Sequence, residues 1–181
     1  MMAMYTDKKA AKYCNKVLTA VDGNMPELLN AWSDSFNRWF VCDGYRAYRL
    51  EHEPDGLLVR MGLHVNTPAE QAKVTEIHFK IEAMFDACYI DNVVEIPVDI
   101  NDVVTAARNK DDITIDLGEN FPVVNARYLK DAMEMLPDGK VYCQDNARRM
   151  FSPVYVKSPD GIALILPIRR ESKLHWVYKA I

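Results

Sequence analysis

The chain has 181 residues, 49% of them hydrophobic and 27% charged, enough to bury about 70% of its unfolded surface and fold without disulfide or metal staples. Twenty-two Lys and Arg against 26 Asp and Glu leave a formal charge of −4, which excludes a protein that coats nucleic acid with its whole surface but leaves room for one basic face. No segment approaches the ~18 uninterrupted apolar residues of a membrane span or holds a signal-peptide core, and four scattered cysteines (Cys14, Cys42, Cys88, Cys143) without CxxC spacing exclude a zinc ribbon and read as reduced thiols of a cytoplasmic protein.

From Asp7 to Val21 the apolar residues Ala10, Ala11, Cys14, Val17, Leu18 and Val21 recur at helical spacing, after an Asp suited to cap the first turn. Lys8, Lys9, Lys12 and Lys16 fall on the opposite side, so this helix has one core face and one basic face. After Pro26 the aromatic-rich segments LLNAWSDSF, RWFVCD and YRAYRLEH suit strands joined by turns at Phe36-Asn37 and Asp43-Gly44. GLLVRMGLHV, following the Pro54-Asp55-Gly56 turn, is a further expected strand.

Thr67-Pro68-Ala69-Glu70 combines a hydroxyl N-cap, a proline at the first helical position and a glutamate at the third. Val74, Ile77, Ile81, Met84 and Cys88 continue at helical spacing; Ile77, Phe79, Ile81 and Ala83 also alternate as in a strand, and helix is favoured. VVEIPV reads as a strand, Asp99 as the cap of a short helix with Ile100, Val103, Val104 and Ala107 inward, and ITIDLG as a strand. Leu129, Ala132, Met133 and Leu136 then make a helix face that ends at Pro137-Asp138-Gly139, with Arg127, Asp131 and Glu134 on the outer side and Lys130 near them. KVYCQ, FSPVYVK and GIALILPI follow at strand length, separated by Asp145-Asn146 and Ser158-Pro159-Asp160-Gly161. A helix followed by three antiparallel strands therefore occurs twice in an α+β chain, a repeat of architecture with negligible residue identity.

Motif order carries more than any single motif. Cys42-Asp43-Gly44-Tyr45-Arg46-Ala47 follows the first helix and two strands; Asn125, Tyr128, Leu129, Asp131 and Ala132 form N-x-x-Y-L-x-D-A at a helix start; Ser152-Pro153 opens a strand; and Leu166-Pro167-Ile168-Arg169 closes the last one. This ordered set resembles the bacterial beta sliding clamp, the replication processivity factor, over about half of the chain. The resemblance implies a DNA-clamp-like domain of two helix-and-meander halves, here a single domain over 1–181 with an inserted helical segment at about 67–92. Cys42 and Ala47 depart from the family's Thr and Leu, which puts the shape of its peptide pocket in question.

The same resemblance implies function. Family clamps meet duplex DNA loosely, without sequence readout, through positive helix side chains; carried over, that role falls to Lys8, Lys9, Lys12, Lys16, Arg127 and Lys130. They also dock polymerase or clamp-loader peptides in an apolar cleft, which here implies Gly44, Tyr45, Arg46, Asn125, Tyr128, Pro167, Ile168 and Arg169. One domain cannot enclose a duplex, so a ring requires a homo-oligomer. A clamp-fold interaction module that does not encircle DNA is the competing expectation.

Catalytic motifs are absent: the chain has no HExxH, GxSxG, Walker A or GxGxxG, and His52, His64, His78 and His175 are isolated in sequence. Glu76 and His78 do not share a helix face, and Asp99, Asp102, Asp111 and Asp112 read as caps and turns rather than metal ligands. No catalytic residue, metal or cofactor is expected. The tail KLHWVYKAI alternates Leu174, Trp176 and Tyr178 with other residues and suits an edge strand, an assembly contact or cover for a core edge.

Overall fold

A computed structural model describes residues 5–21, 25–59, 67–89, 92–110 and 112–168. Helix α1 spans Asp7–Ala20. Its N-cap is Thr6, whose side chain accepts from the Lys9 amide at 3.3 Å, while Asp7 sits inside the first turn. The cap position takes extended backbone, which Thr6 has and Asp7, already helical, does not, and the Asp7 carboxylate still complements the positive helix end.

Three antiparallel strands follow: β1 (Trp32–Ser33), β2 (Trp39–Cys42) and β3 (Arg46–Leu50). The first is shorter than LLNAWSDSF suggests, because Pro26 opens a 3-10 turn over Pro26–Leu28 instead. Residues 56–59 of the expected next strand form none, and 60–66 lie outside the described residues. Helix α2 (Pro68–Asp86) carries the full capping box, with Thr67 and Glu70 bonding each other's backbone amides at 3.2 and 3.0 Å.

Then come β4 (Val93–Glu95) and α3 (Ile100–Arg108), the latter capped by Asp99. Val103 and Ala107 of α3 are buried, whereas Ile100 is 38% exposed and not part of the inward face. A small hairpin of β5 (Thr114–Asp116) and β6 (Val123–Asn125) precedes α4 (Ala126–Met135). The chain continues as β7 (Lys140–Gln144), β8 (Val154–Ser158) and β9 (Gly161–Ile165).

Seven strands form one sheet in the order β1-β2-β3-β9-β8-β7-β4. The two meanders therefore join through their last strands, antiparallel from Arg46↔Ile165 to Leu50↔Gly161. This seam needs glycine at 161, where a Cβ would lie 2.4 Å from the Arg49 carbonyl oxygen.

Strand alternation sorts side chains onto two faces. On one, α1 and α4 lie side by side over Val41, Tyr48, Leu50, Val141, Cys143, Val154, Val156, Ala163 and Ile165, with α3 against α4. On the other, Phe40, Cys42, Ala47, Tyr155, Ile162 and Leu164 meet α2. Cover is thinner there: Phe85 is the fully buried residue of α2, Ile77, Ile81 and Met84 are half-buried, and Phe79 is 70% exposed.

Polar anchors supplement that contact. The Trp32 ring stacks on His78 at 3.9 Å and donates to Glu82 at 3.0 Å, His78 Nε2 lies 2.9 Å from the Glu27 carbonyl oxygen, and the Tyr155 hydroxyl donates to the Met84 carbonyl at 3.1 Å. All four cysteines are buried free thiols. Burial pushes Cys14 up to about 12 and Cys42 and Cys143 up to about 11, so none is poised as a nucleophile at neutral pH.

Candidate functional site

Two surfaces collect the residues singled out in the sequence. The first is the outer side of α1 and α4. Lys8, Lys12 and Lys16 are exposed and Lys9 is half-buried, because the apolar stripe of the same helix turns Ala10, Cys14 and Val17 into the core. Lys8 and Lys12 make no ion pair among the described residues, although the Lys12 ammonium lies 5.3 Å from the Tyr13 ring centre.

The other cations are partly neutralised. Lys16 pairs with Asp131 at 2.6 Å and Lys130 with Glu134 at 2.8 Å. Arg127 is exposed but donates through Nε to the Ala107 carbonyl at 3.2 Å. Glu134 also accepts from the Tyr13 hydroxyl. Burial alone would raise the Glu134 pKa, yet the bonds from Lys130 and Tyr13 outweigh it and hold the carboxyl below the ordinary range.

Asp131 is not on the outer side. It is 3% exposed and receives Arg46 Nη1 at 2.7 Å as well as Lys16. Helical spacing misplaces it because its partner is distant in sequence. Arg46 projects from β3 toward α4, and a charge in that dry space requires a counter-charge.

The second surface lies where three expected segments meet at one end of the sheet. In the turn before β3, Asp43 Oδ1 accepts from the Tyr45 and Arg46 amides at 3.0 and 2.9 Å, Oδ2 accepts from Arg46 Nε at 3.0 Å, and Gly44 takes φ +88°. The Arg46 guanidinium also lies 4.3 Å from the Tyr128 ring centre. Burial opposes its charge, but Tyr48, Asp43 and Asp131 more than offset this and raise its pKa.

Asn125 caps α4 by accepting from the Arg127 and Tyr128 amides at 2.9 and 3.4 Å. Beyond β9, the Leu166 amide donates to the Tyr45 carbonyl at 2.9 Å and the Ile168 amide to the Val123 carbonyl at 2.8 Å. Tyr45 is 64% and Ile168 39% exposed, with Pro167 half-buried.

A small apolar cleft of about 140 Å³ opens beside this junction, lined by Leu28, Cys42, Gly44, Tyr45, Arg46, Ala47, Ile81, Met84, Leu164 and Leu166. Of the expected peptide-site residues, Gly44, Tyr45 and Arg46 border it; Asn125, Tyr128, Pro167 and Ile168 do not, and Arg169 lies outside the described residues. Sequence reasoning missed Leu28, Ile81 and Met84. The i, i+3 spacing of Ile81 and Met84 signals an inward helix face but not which part of the sheet it meets.

A wider groove of about 910 Å³ lies on the same sheet face. Arg38, Arg49, Lys140 and Lys157 line it; the first three are met by Asp34 at 2.5 Å, Glu51 at 2.9 Å and Glu95 at 3.0 Å, and Asp138 adds a further carboxylate, so positive and negative groups are mixed along its walls. Among the described residues no three His, Cys, Asp or Glu side chains converge to hold a metal, and no helix is long and apolar enough to cross a membrane. Asp99 caps α3, Asp112 bonds Thr114, and His52 pairs with Asp7 at 2.9 Å. His64, His175, Asp111 and the expected strand of the tail lie outside the described residues.

Two helix-and-meander halves, fused last strand to last strand with their helices on one face, define a DNA-clamp-like α+β fold. A solved structure with this fold is the crystal structure of a candidate DNA polymerase III beta subunit from Eubacterium rectale ATCC 33656, with a TM-score of 0.54 at 13% identity. The match covers 92% of this chain and 65% of that one. No family model matches the chain, and no curated protein matches it in sequence.

Proposed function

We propose that this protein is a non-enzymatic, clamp-like accessory protein of DNA replication, acting in the cytoplasm without a cofactor. In this reading residues 1–181 form one domain with the segment around α2 inserted. Copies self-associate, the outer face of α1 and α4 meets duplex DNA without sequence readout, and the cleft beside Tyr45 takes a partner peptide such as one from a polymerase or clamp loader.

The observation that supports it most is the pairing of α1 and α4 on one sheet face, with Lys8 and Lys12 turned outward and without a carboxylate partner among the described residues. Ammonium groups on flexible stems meet phosphates without fixing register, which is what a sliding contact requires. Lys9, Lys16, Arg127 and Lys130 contribute less, since acids or backbone already engage Lys16, Arg127 and Lys130 and Lys9 is half-buried. The apolar walls of the cleft suit one large side chain of a docked segment.

Glu134, Asp131 and the overall charge of −4 favour the second reading, a clamp-fold module that binds a partner protein and does not encircle DNA. Retention on circular duplex DNA separates the two. The parent is expected to stay on closed circles and leave on linearisation, and Lys8→Glu with Lys12→Glu to lower retention at least about tenfold and flatten the log–log salt dependence by about 2. The double variant should fold normally, since exposed helix charges seldom shift stability by more than about 0.5 kcal/mol. A parent that never stays on circles supports the interaction module.

A further inference from the structure

We propose that helix α2 is a displaceable cover of the second sheet face: it holds closed an apolar row whose open end is the Tyr45 cleft, and a partner segment with more than one apolar anchor docks only when α2 lifts. This names the regulation of the cleft and rests on its reading as a peptide site.

Strand register sets the row. Cys42 stands opposite Ala47, Ala47 opposite Leu164 and Leu164 opposite Tyr155, so side chains of β2, β3, β9 and β8 line up on the face that α2 crosses. Side chains as small as those of Cys42 and Ala47 leave a hollow, and Ile81 and Met84 of α2 roof it. What stays open is about 140 Å³, room for one side chain of a docked segment. At the far end of the row the Tyr155 hydroxyl is tied to the Met84 carbonyl at 3.1 Å. Helix α2 therefore occupies with its own aliphatic side chains the space that further anchors of a partner would need.

The grip of α2 on the sheet is confined to its second half. Residues 67–76 are exposed apart from half-buried Val74, and Lys73 reaches only to within 3.7 Å of Glu27. Phe85 is the buried residue of α2, followed by Cys88 in the 3-10 turn Ala87–Tyr89, whereas α1 buries Ala10, Cys14, Val17 and Leu18. The remaining hold is a clasp at one side, where Trp32 stacks on His78 and donates to Glu82. Both flanks are undercut, by the cleft on one side and on the other by the wide groove that Cys88 borders. Few buried apolar contacts with solvent on two sides mark a unit that opens before the rest of the fold. Docking is then weakened by the fraction of molecules in which α2 is closed.

The chain's own thiols report the opening. Cys42 and Cys88 belong to the core under α2, Cys14 and Cys143 to the core under α1 and α4. The full chain is labelled with iodoacetamide in native buffer, and each cysteine's rate is read by mass spectrometry relative to the same cysteine in the urea-unfolded chain. On that scale Cys42 and Cys88 should react at least about tenfold faster than Cys14 and Cys143. Trp32→Ala, or the milder Glu82→Ala that breaks one clasp bond, should raise the first two rates and leave the last two unchanged, while Phe79→Ser on the exposed side of α2 should alter none. A labelled polymerase-derived clamp-binding peptide should bind Trp32→Ala about tenfold more tightly than the parent and shield Cys42.

Equal relative rates at all four cysteines of the parent overturn the proposal, whether or not the variants fold. So does equal affinity of the peptide for parent and Trp32→Ala, because docking would then need no lifting. If the four cysteines react alike and the peptide still binds, the peptide site stands without a cover. If Cys42 and Cys88 open selectively and the peptide binds neither protein, the cover stands and the peptide reading falls.

Discussion

The two faces of the sheet are built from the same strands and differ in what covers them. Beneath α1 and α4 the strand residues pack dry, and the buried Arg46, Asp43 and Asp131 are balanced with the help of Lys16, which pairs with Asp131. Beneath α2 the cover is partial, leaving a small apolar cleft on one side and a wide charged groove on the other. Alternation along a strand decides which side chains share a face, but burial requires a helix whose apolar stripe matches. Helix α4 brings Leu129, Ala132 and Met135, all fully buried; α2 brings only Phe85 to that degree. Stability is concentrated on the first face and recognition has room on the second.

The sharpest way to break this contrast is Asp131→Ala. It leaves the buried Arg46 with Asp43 as its one carboxylate among the described residues and should lower unfolding stability in urea by about 3 kcal/mol or more. A loss under about 1 kcal/mol would mean that the charged cluster is not part of the dry face. Next in size is a matched pair of truncations. Leu129→Ala should cost about 3 kcal/mol, the usual range for a fully buried leucine, and Ile81→Ala at the half-buried α2 contact no more than about 1 kcal/mol. Equal losses would erase the difference between the faces.

The smallest effect concerns pH and the α2 anchor. Burial holds His78 below its ordinary pKa, and its bond to the Glu27 carbonyl and the nearby Glu82 and Glu27 charges do not reverse this. The unfolded chain therefore takes up the proton first as pH falls. Stability from neutral His78 is full above the unfolded value of about 6.5 and declines as pH drops through the interval down to the lowered folded value. Urea midpoints at pH 7.5 and 5.5 should fall further for the parent than for His78→Gln.

Much of this arrangement was legible in the sequence. The spacing of Ala10, Cys14 and Val17, the Thr67–Glu70 capping box, the Asp43-Gly44 turn and the alternation in KVYCQ and FSPVYVK each depend on neighbours within a few residues, and each forms as expected. What was hidden depends on distant partners. β6 is a strand only because Ile113 to Asp116 lie opposite it. Asp131 is inside only because Arg46 reaches it. Leu28 and Met84 border the cleft only because the 3-10 turn and α2 converge on the end of β9. That the Tyr45 turn, the start of α4 and the end of β9 lie near one another was what the resemblance implied, whereas the cleft beside them has its depth and walls set by packing that no motif encodes.

The seam between β3 and β9 also governs how the chain must be born. The N-terminal meander can assemble as soon as it is synthesised, but Arg46 to Leu50 pair with Gly161 to Ile165, which emerge more than a hundred residues later. Until then β3 presents an open edge, an invitation to mispairing. Closure across so long a loop makes for slow folding, so β3 and β9 are where nascent chains of this protein are most exposed to aggregation and to chaperones.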